Sequence, residues 1–266
     1  MKKVVFIMAV TSVLALTFVT LASAGAALDR ILQKGELVVG ITGDQPPLNA
    51  KTKTGKIIGL DADLATLIAG NMGVKLKLAI MPFAKLLPAL KAGEVDMILS
   101  GMTMTTERNL KVVFIGPYFV SGKGILTKKA NISALEQVDG LNKPEFKVAA
   151  LQGSTSQQVV EKAAPKATLV KAKSYDEAID LLVQDKIDAL IADYPSCAVS
   201  AFRYQEKGLI AGQAPITFEP LGIALPEDTL LINLVENLLR MLEGTGALKQ
   251  LTNRWFKTSA WITELQ

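Results

Sequence analysis

Two stretches of this chain carry the same spacing of apolar residues. FAKLLPALKAGEVDMILSG starts at Phe83 and YDEAIDLLVQDKIDALIAD starts at Tyr175, an offset of 175 − 83 = 92 positions. The offset aligns Leu87 with Ile179, Leu90 with Leu182, and Val95-Asp96 with Ile187-Asp188. Each stretch reads as a helix with one apolar face, followed by a short apolar run suited to a buried strand. Two such units restrict the chain to an α/β design with two similar lobes. At the strand ends the alignment sets Gly101 opposite Asp193. Ligands of open α/β sheets lie beyond the carboxyl ends of the strands, so both positions fall in a candidate site.

The rest of the chain alternates in the same way. Residues 37–41 (LVVGI), 74–80 and 95–99 read as strands. A helix opens at Gly59-Leu60-Asp61, carries Leu60, Leu64, Leu67 and Ile68 on one face, and stops at Asn71 and Gly73. Residues 83–92 read as a helix broken near Pro88. In the second half, 146–151, 169–170 and 187–192 read as strands and 154–163 as a helix. Ser174, with Glu177 three residues later, forms a capping box for the next helix. Residues 230–243 and 247–257 close the chain as two more helices, the last carrying Trp255 and Phe256.

The first 24 residues read as a secretory leader. Met1-Lys2-Lys3 is followed by an apolar run over residues 4–21 and by the small-x-small triplet Ala22-Ser23-Ala24. An uncleaved membrane anchor is the alternative for a run of that length. Cleavage after Ala24 leaves residues 25–266, enough for two lobes of ordinary size, and predicts a periplasmic protein. The 29 basic and 25 acidic residues give a net charge of +4, which loss of Lys2 and Lys3 lowers to +2. The basic residues are scattered, so a nucleic-acid partner is not expected.

Composition narrows the chemistry. The chain has no histidine and one cysteine, Cys197. Histidine-based triads, general bases and metal sites are excluded, as are zinc clusters and an intrachain disulfide. Stability has to come from a buried core. Cys197 lies in the apolar context DYPSCAVSAF and reads as a small buried hydrophobe. Neither metal nor cofactor is expected.

Three features point to one ligand. The first is SGMTMTTERN, residues 100–109, where a core strand ends in hydroxyl-bearing residues and an arginine. Gly101 permits close approach to the backbone, Thr103 donates and accepts, and the Arg108 guanidinium matches a carboxylate in bidentate fashion. The second is LQGSTSQQVV, in which Gly153 turns a strand into a helix beginning at Ser154-Thr155. Free amides there make either an anion site or a plain helix cap. The third is Asp193, a carboxylate at the end of a buried strand. It requires a cation, supplied by a ligand ammonium or by a partner lysine, or a backbone cap. Arg108 with the 154–155 helix start for a carboxylate, and Asp193 for an ammonium, together describe an α-amino acid.

With these motifs in place, the chain resembles the bacterial family 3 extracellular solute-binding proteins, the polar amino-acid receptors of ABC importers. The likeness runs along nearly all of residues 25–266: LVVGITGDQPPL, GKIIGLDADLATLIAGNMGVKLKL, LLPALKAGEVDMILSGMTMTTER, GPYFVSG, KVAALQGSTS, DALIADYP, PLGIAL and GALKQLTNRWF. It implies the two-lobed periplasmic-binding-protein fold of type II, with two crossover strands and a ligand cleft between the lobes. Residues 25–119 and 220–266 would form lobe 1 and residues 120–219 lobe 2, with crossovers near 119–126 and 216–224.

Carried over residue by residue, the resemblance sets the carboxylate clamp on Arg108, with Thr103 and Thr155 assisting. The ammonium site falls on Asp193, the Gly101 carbonyl and Thr103. Ser154 takes the place of a hydroxyl lining the second lobe, and Phe83 that of an aromatic packed on the ligand side chain. Three positions depart. Thr42 replaces an acid that contacts basic side chains, Gln45 replaces a stacking aromatic, and Leu221 replaces another aromatic. The resemblance therefore implies a monomer that binds a free amino acid and meets an ABC permease. The substituted pocket argues against a simple lysine or arginine receptor and suits a polar neutral or acidic side chain. The alternatives are an enzyme like the cyclohexadienyl dehydratases, which share the scaffold and eliminate water from a carboxylated ring, and a ligand-sensing partner of a separate receptor.

Overall fold

The computed structural model describes residues 25–266; the leader expected over residues 1–24 lies outside the described residues. The chain enters through helix α1 (Ala26–Lys34) and strand β1 (Glu36–Ile41). Three short strands follow, β2 (Asp44–Gln45), β3 (Asn49–Lys51) and β4 (Ile57–Ile58). Next come α2 (Leu60–Asn71), β5 (Lys75–Ile80), α3 (Phe83–Ala92), β6 (Met97–Ile98), the single turn α4 (Thr106–Asn109) and the long β7 (Val113–Ser121). After Gly122 the chain becomes β8 (Lys123–Thr127) and runs through α5 (Ala130–Ser133), β9 (Lys147–Leu151), α6 (Thr155–Ala163) and β10 (Thr168–Ala172). It continues through α7 (Tyr175–Val183), β11 (Ala189–Asp193), α8 (Tyr194–Arg203) and β12 (Ile210–Ala211). It returns through β13 (Glu219–Leu225) and finishes with α9 (Thr229–Gly244) and α10 (Ala247–Phe256).

Two five-stranded sheets result, ordered β5-β1-β6-β13-β7 and β10-β9-β11-β8-β12. They repeat one plan. In the first, β1 lies parallel to β5 and β6, and β13 runs antiparallel to β6. In the second, β9 lies parallel to β10 and β11, and β8 runs antiparallel to β11. The two helix–strand units at offset 92 are α3–β6 and α7–β11, and each supplies the central strand of its sheet. The chain therefore leaves the first lobe between Ser121 and Lys123 and comes back between Ala211 and Glu219. β7 and β13 stay paired there, Glu219 opposite Ser121 and Leu221 opposite Phe119.

Local chemistry accounts for the elements. Leu60, Leu64 and Ile68 of α2 are fully buried beneath β1, and each such side chain contributes about 2 kcal/mol by leaving water. Both sheets carry helices on two faces, so their central strands read as continuous apolar runs. Ser174 caps α7 by accepting from Glu177 N at 3.1 Å, while Glu177 reaches back to Lys173 N at 2.7 Å. The break expected near Pro88 does not occur: α3 is one helix through that residue. Pro88 removes the single bond to the Ala84 carbonyl, and buried Leu86 and Leu90 on the core face hold the turn together. Cys197 is buried, as its context implied.

The loop that carries β2 and β3 against α2 depends on Gly59. This residue adopts φ +128°, and a Cβ there would stand 2.2 Å from the Leu48 carbonyl oxygen and 2.9 Å from Asn49 Cα. Both neighbours are backbone and cannot rotate away. Gly59→Ala is expected to destabilise the fold by about 3 kcal/mol or more in urea titration. The control Gly35→Ala, at φ +64° with open space around it, is expected to cost about 1 kcal/mol.

Candidate ligand-binding cleft

The cleft is built from strand ends. β6 stops at Ile98, and the segment behind it turns at Gly101, whose φ of +56° lies in the left-handed region that favours glycine. A Cβ there would meet the Gln45 amide at 2.8 Å. The Gly101 amide donates to Asp61 Oδ2 at 3.0 Å, which fixes the turn to the first residues of α2. Asp61 is fully buried and also accepts from Tyr118 Oη at 2.7 Å and Asn49 Nδ2 at 2.8 Å. Burial pushes its pKa up to about 7, against the pull of those three donors, and the nearby Asp193 charge adds to the rise.

Arg108 sits in α4, capped by Thr105, whose hydroxyl accepts from Arg108 N at 3.2 Å. Its guanidinium is buried, donating through Nη1 to the Thr103 carbonyl at 2.8 Å and through Nη2 to the Gly153 carbonyl at 3.2 Å. The second bond crosses from the first lobe to the second. The Phe83 ring lies under the guanidinium, 5.5 Å from its centre, where the π face favours the cation. Burial pulls the Arg108 pKa below its ordinary value, against the carboxylates of Glu219 and Asp193. Phe83 and Gly153, both in contact with Arg108, line a cavity of about 550 Å3 together with Leu87, Pro88 and Met102.

Thr103 and Thr155 face each other across the lobe boundary, their hydroxyls 3.3 Å apart. Both donate to one oxygen, Glu219 Oε2, at 2.7 and 2.9 Å. Asp193, at the end of β11, pairs with Lys123 Nζ at 2.8 Å and accepts from the Gln45 amide of the opposite lobe. Lys123 Nζ also stands 3.5 Å from Glu219 Oε2. Burial works to raise the Glu219 pKa, but the Lys123 charge and the hydroxyls of Thr103, Thr155 and Thr217 outweigh it, so the carboxyl lies below its usual range and is ionised.

The structure thus brings Arg108, Thr103, Thr155, Asp193, Gly101, Gln45 and Phe83 to one cleft. Ser154 differs. Its hydroxyl accepts from Gln157 N at 3.2 Å and donates to the Leu151 carbonyl at 2.6 Å, so it acts as the cap of α6. Thr42 lies at the edge, donating to Asn49 Oδ1 at 3.0 Å and lining a separate cavity of about 490 Å3 with Asp44, Asp176 and Arg203. The partner of Asp193 is a lysine of this chain, one of the options left open by the sequence. Sequence reasoning missed Lys123, Glu219 and Asp61. The signal for the first two was a charge at each crossing, in SGKGIL and FEPLGI.

Further contacts join the lobes. Asp44 Oδ2 accepts from Tyr175 N at 2.7 Å at the start of α7, and Ser196 Oγ donates to the Pro46 carbonyl at 2.7 Å. Residues 44, 45 and 46 of the first lobe therefore each bond the second.

Comparison with known proteins places this architecture. The chain is 29% identical to the ABC transporter glutamine-binding protein GlnH of Bacillus subtilis, over 86% of this chain and 84% of that protein. It is 27% identical to the cyclohexadienyl dehydratase of Pseudomonas aeruginosa, over 86% of each chain. Among solved structures it is similar to an ancestral amino acid-binding protein, a precursor of cyclohexadienyl dehydratase. That likeness has a TM-score of 0.78 and 36% identity, covering 86% of this chain and 99% of that one. The model of the bacterial extracellular solute-binding proteins, family 3, matches residues 37–258, and the chain belongs to that family.

Proposed function

We propose that this chain is a periplasmic receptor that closes over one free amino acid between its lobes and presents it to the membrane permease of an ABC importer. The observation that carries the reading is the convergence of Arg108 and Asp193, buried and from opposite lobes, on one hydrogen-bonded cleft. Arg108 would hold the ligand carboxylate with Thr103 and Thr155. Asp193, the Gly101 carbonyl and Thr103 would hold the ammonium. The Gln45 side-chain oxygen supports this second half, since it is buried beside Gly101 without a donor and suits an N–H of the ligand. Phe83 would pack on the ligand side chain.

The uncharged Gln45 favours a polar neutral or acidic side chain over lysine or arginine, and the glutamine-binding relative makes glutamine the first ligand to test. A thermal-shift screen against the amino acids is expected to raise the unfolding midpoint for the bound one. With that amino acid, Arg108→Ala is expected to weaken binding by roughly 3–5 kcal/mol in calorimetry, because a desolvated carboxylate loses its cation. Unchanged affinity would remove Arg108 from the clamp.

The similarity to a dehydratase raises an enzymatic reading. Elimination of water from a carboxylated ring calls for a proton donor in the cleft. Of the carboxyl groups at the cleft, Glu219 is held ionised by Lys123 and its threonine donors, and Asp193 is paired with Lys123. Asp61, though raised to about 7, is fully buried behind Gly101 with its oxygens taken by Tyr118, Asn49 and the Gly101 amide. Incubation with prephenate is therefore expected to yield no aromatic product; ultraviolet detection of such a product at enzymatic rates would overturn the receptor reading.

A further inference from the structure

Lys123 and Glu219 belong to neither clamp, yet both are buried in the cleft among charged and hydroxyl partners. They open the two crossing strands, Lys123 at the start of β8 and Glu219 at the start of β13. Thr217 ties them together, its hydroxyl accepting from Lys123 N at 2.9 Å and donating to Glu219 Oε1 at 3.2 Å. Buried charges on a hinge are costly unless each is satisfied, and here each is. The Lys123 ammonium has Asp193 and Glu219, and the Glu219 carboxylate has Lys123 and three threonine hydroxyls. Their partners are the groups assigned above to a ligand: a carboxylate bridges Thr103 of one lobe and Thr155 of the other, and an ammonium sits on Asp193.

We propose that Lys123 and Glu219 are a built-in stand-in for the head groups of the ligand. The inference rests on reading this cleft as an amino-acid site. Without ligand, the lobes close on Glu219, which couples Thr103 to Thr155, while Lys123 neutralises Asp193. An incoming amino acid offers its own carboxylate to Arg108 and the two threonines, displaces Glu219 from their hydroxyls, and shares Asp193 with Lys123. Arg108 donates to the main-chain carbonyls of Thr103 and Gly153 and keeps further N–H groups for that carboxylate. A receptor closed on itself binds more weakly than its contacts allow, because only the open fraction is competent.

The test compares wild type with Glu219→Gln after stripping in denaturant and refolding. Small-angle X-ray scattering without amino acid is expected to give a compact wild type and an expanded variant, and saturating glutamine is expected to compact the variant. By calorimetry Glu219→Gln is expected to bind the amino acid found by the thermal-shift screen about threefold or more tightly. An expanded stripped wild type, a variant as compact as wild type, or weaker binding by the variant would each overturn the stand-in. Thr155→Val keeps the ion pair and leaves no charge without its partner. It is expected to expand the stripped protein as well, so a folding defect in Glu219→Gln does not shelter the idea. Should no amino acid bind either protein, the receptor reading fails while the scattering comparison still decides whether Glu219 holds the lobes together.

Discussion

The structure turns on a requirement that every charge withdrawn from water in the cleft find a partner. Asp193, Lys123, Glu219 and Arg108 are all at most 6% exposed. An uncompensated charge at that depth costs several kcal/mol, more than most single contacts return. The chain meets the requirement with one connected set: Gln45 and Lys123 on Asp193, Lys123 and the threonines on Glu219, main-chain carbonyls on Arg108. Because members come from both lobes and from both crossing strands, the lobes cannot separate without exchanging these partners for water. Opening therefore exchanges hydrogen-bond partners and also parts the apolar cluster that the two lobes share.

The duplicated sheet plan makes that arrangement geometrically available. Each lobe presents the carboxyl end of its central strand, β6 or β11, toward the other. The antiparallel neighbour of that strand is in each lobe a crossing strand, β13 beside β6 and β8 beside β11. A residue at the start of a crossing strand thus lies next to a strand end of either lobe. Glu219 and Lys123 occupy those two starts, which is why two residues nearly a hundred positions apart stand 3.5 Å from each other, with Lys123 also paired to Asp193. Two apolar clusters have their buried members within single lobes. A third runs across the boundary, from Leu86, Ile98 and Met102 of the first lobe to Leu151, Tyr175 and Ile179 of the second, so the polar cleft lies beside a shared apolar seam.

Much of this was legible in the sequence. Strand and helix periods located the elements, and the offset of 92 identified equivalent central strands before any pairing was seen. Arg108, Thr103 and Asp193 stood out because polar residues at the ends of apolar strands have few structural uses. The unreadable part had two causes. Pro88 signalled a break, but tertiary packing of Leu86 and Leu90 outweighed the loss of one hydrogen bond. Lys123 and Glu219 carried no local signal of their partners, because the ion pair exists only once the two crossings lie side by side. Ser154 and Thr155 were adjacent and chemically alike; only the backbone decides that one hydroxyl caps α6 and the other faces the cleft.

The polar contacts that join the lobes are individually modest. Residues 44–46 grip Tyr175, Asp193 and Ser196, and Arg108 reaches Gly153. A neutral hydrogen bond nets about 1 kcal/mol because water competes for both partners. Several such bonds, and the apolar cluster shared by the lobes, are set against the hydration that a polar cleft regains on opening. A small ligand shifts that balance only by its differential affinity for the two states. By lining the cleft with charges that satisfy one another, the chain keeps the lobes associated while leaving the decision to whichever carboxylate and ammonium occupy the same partners best.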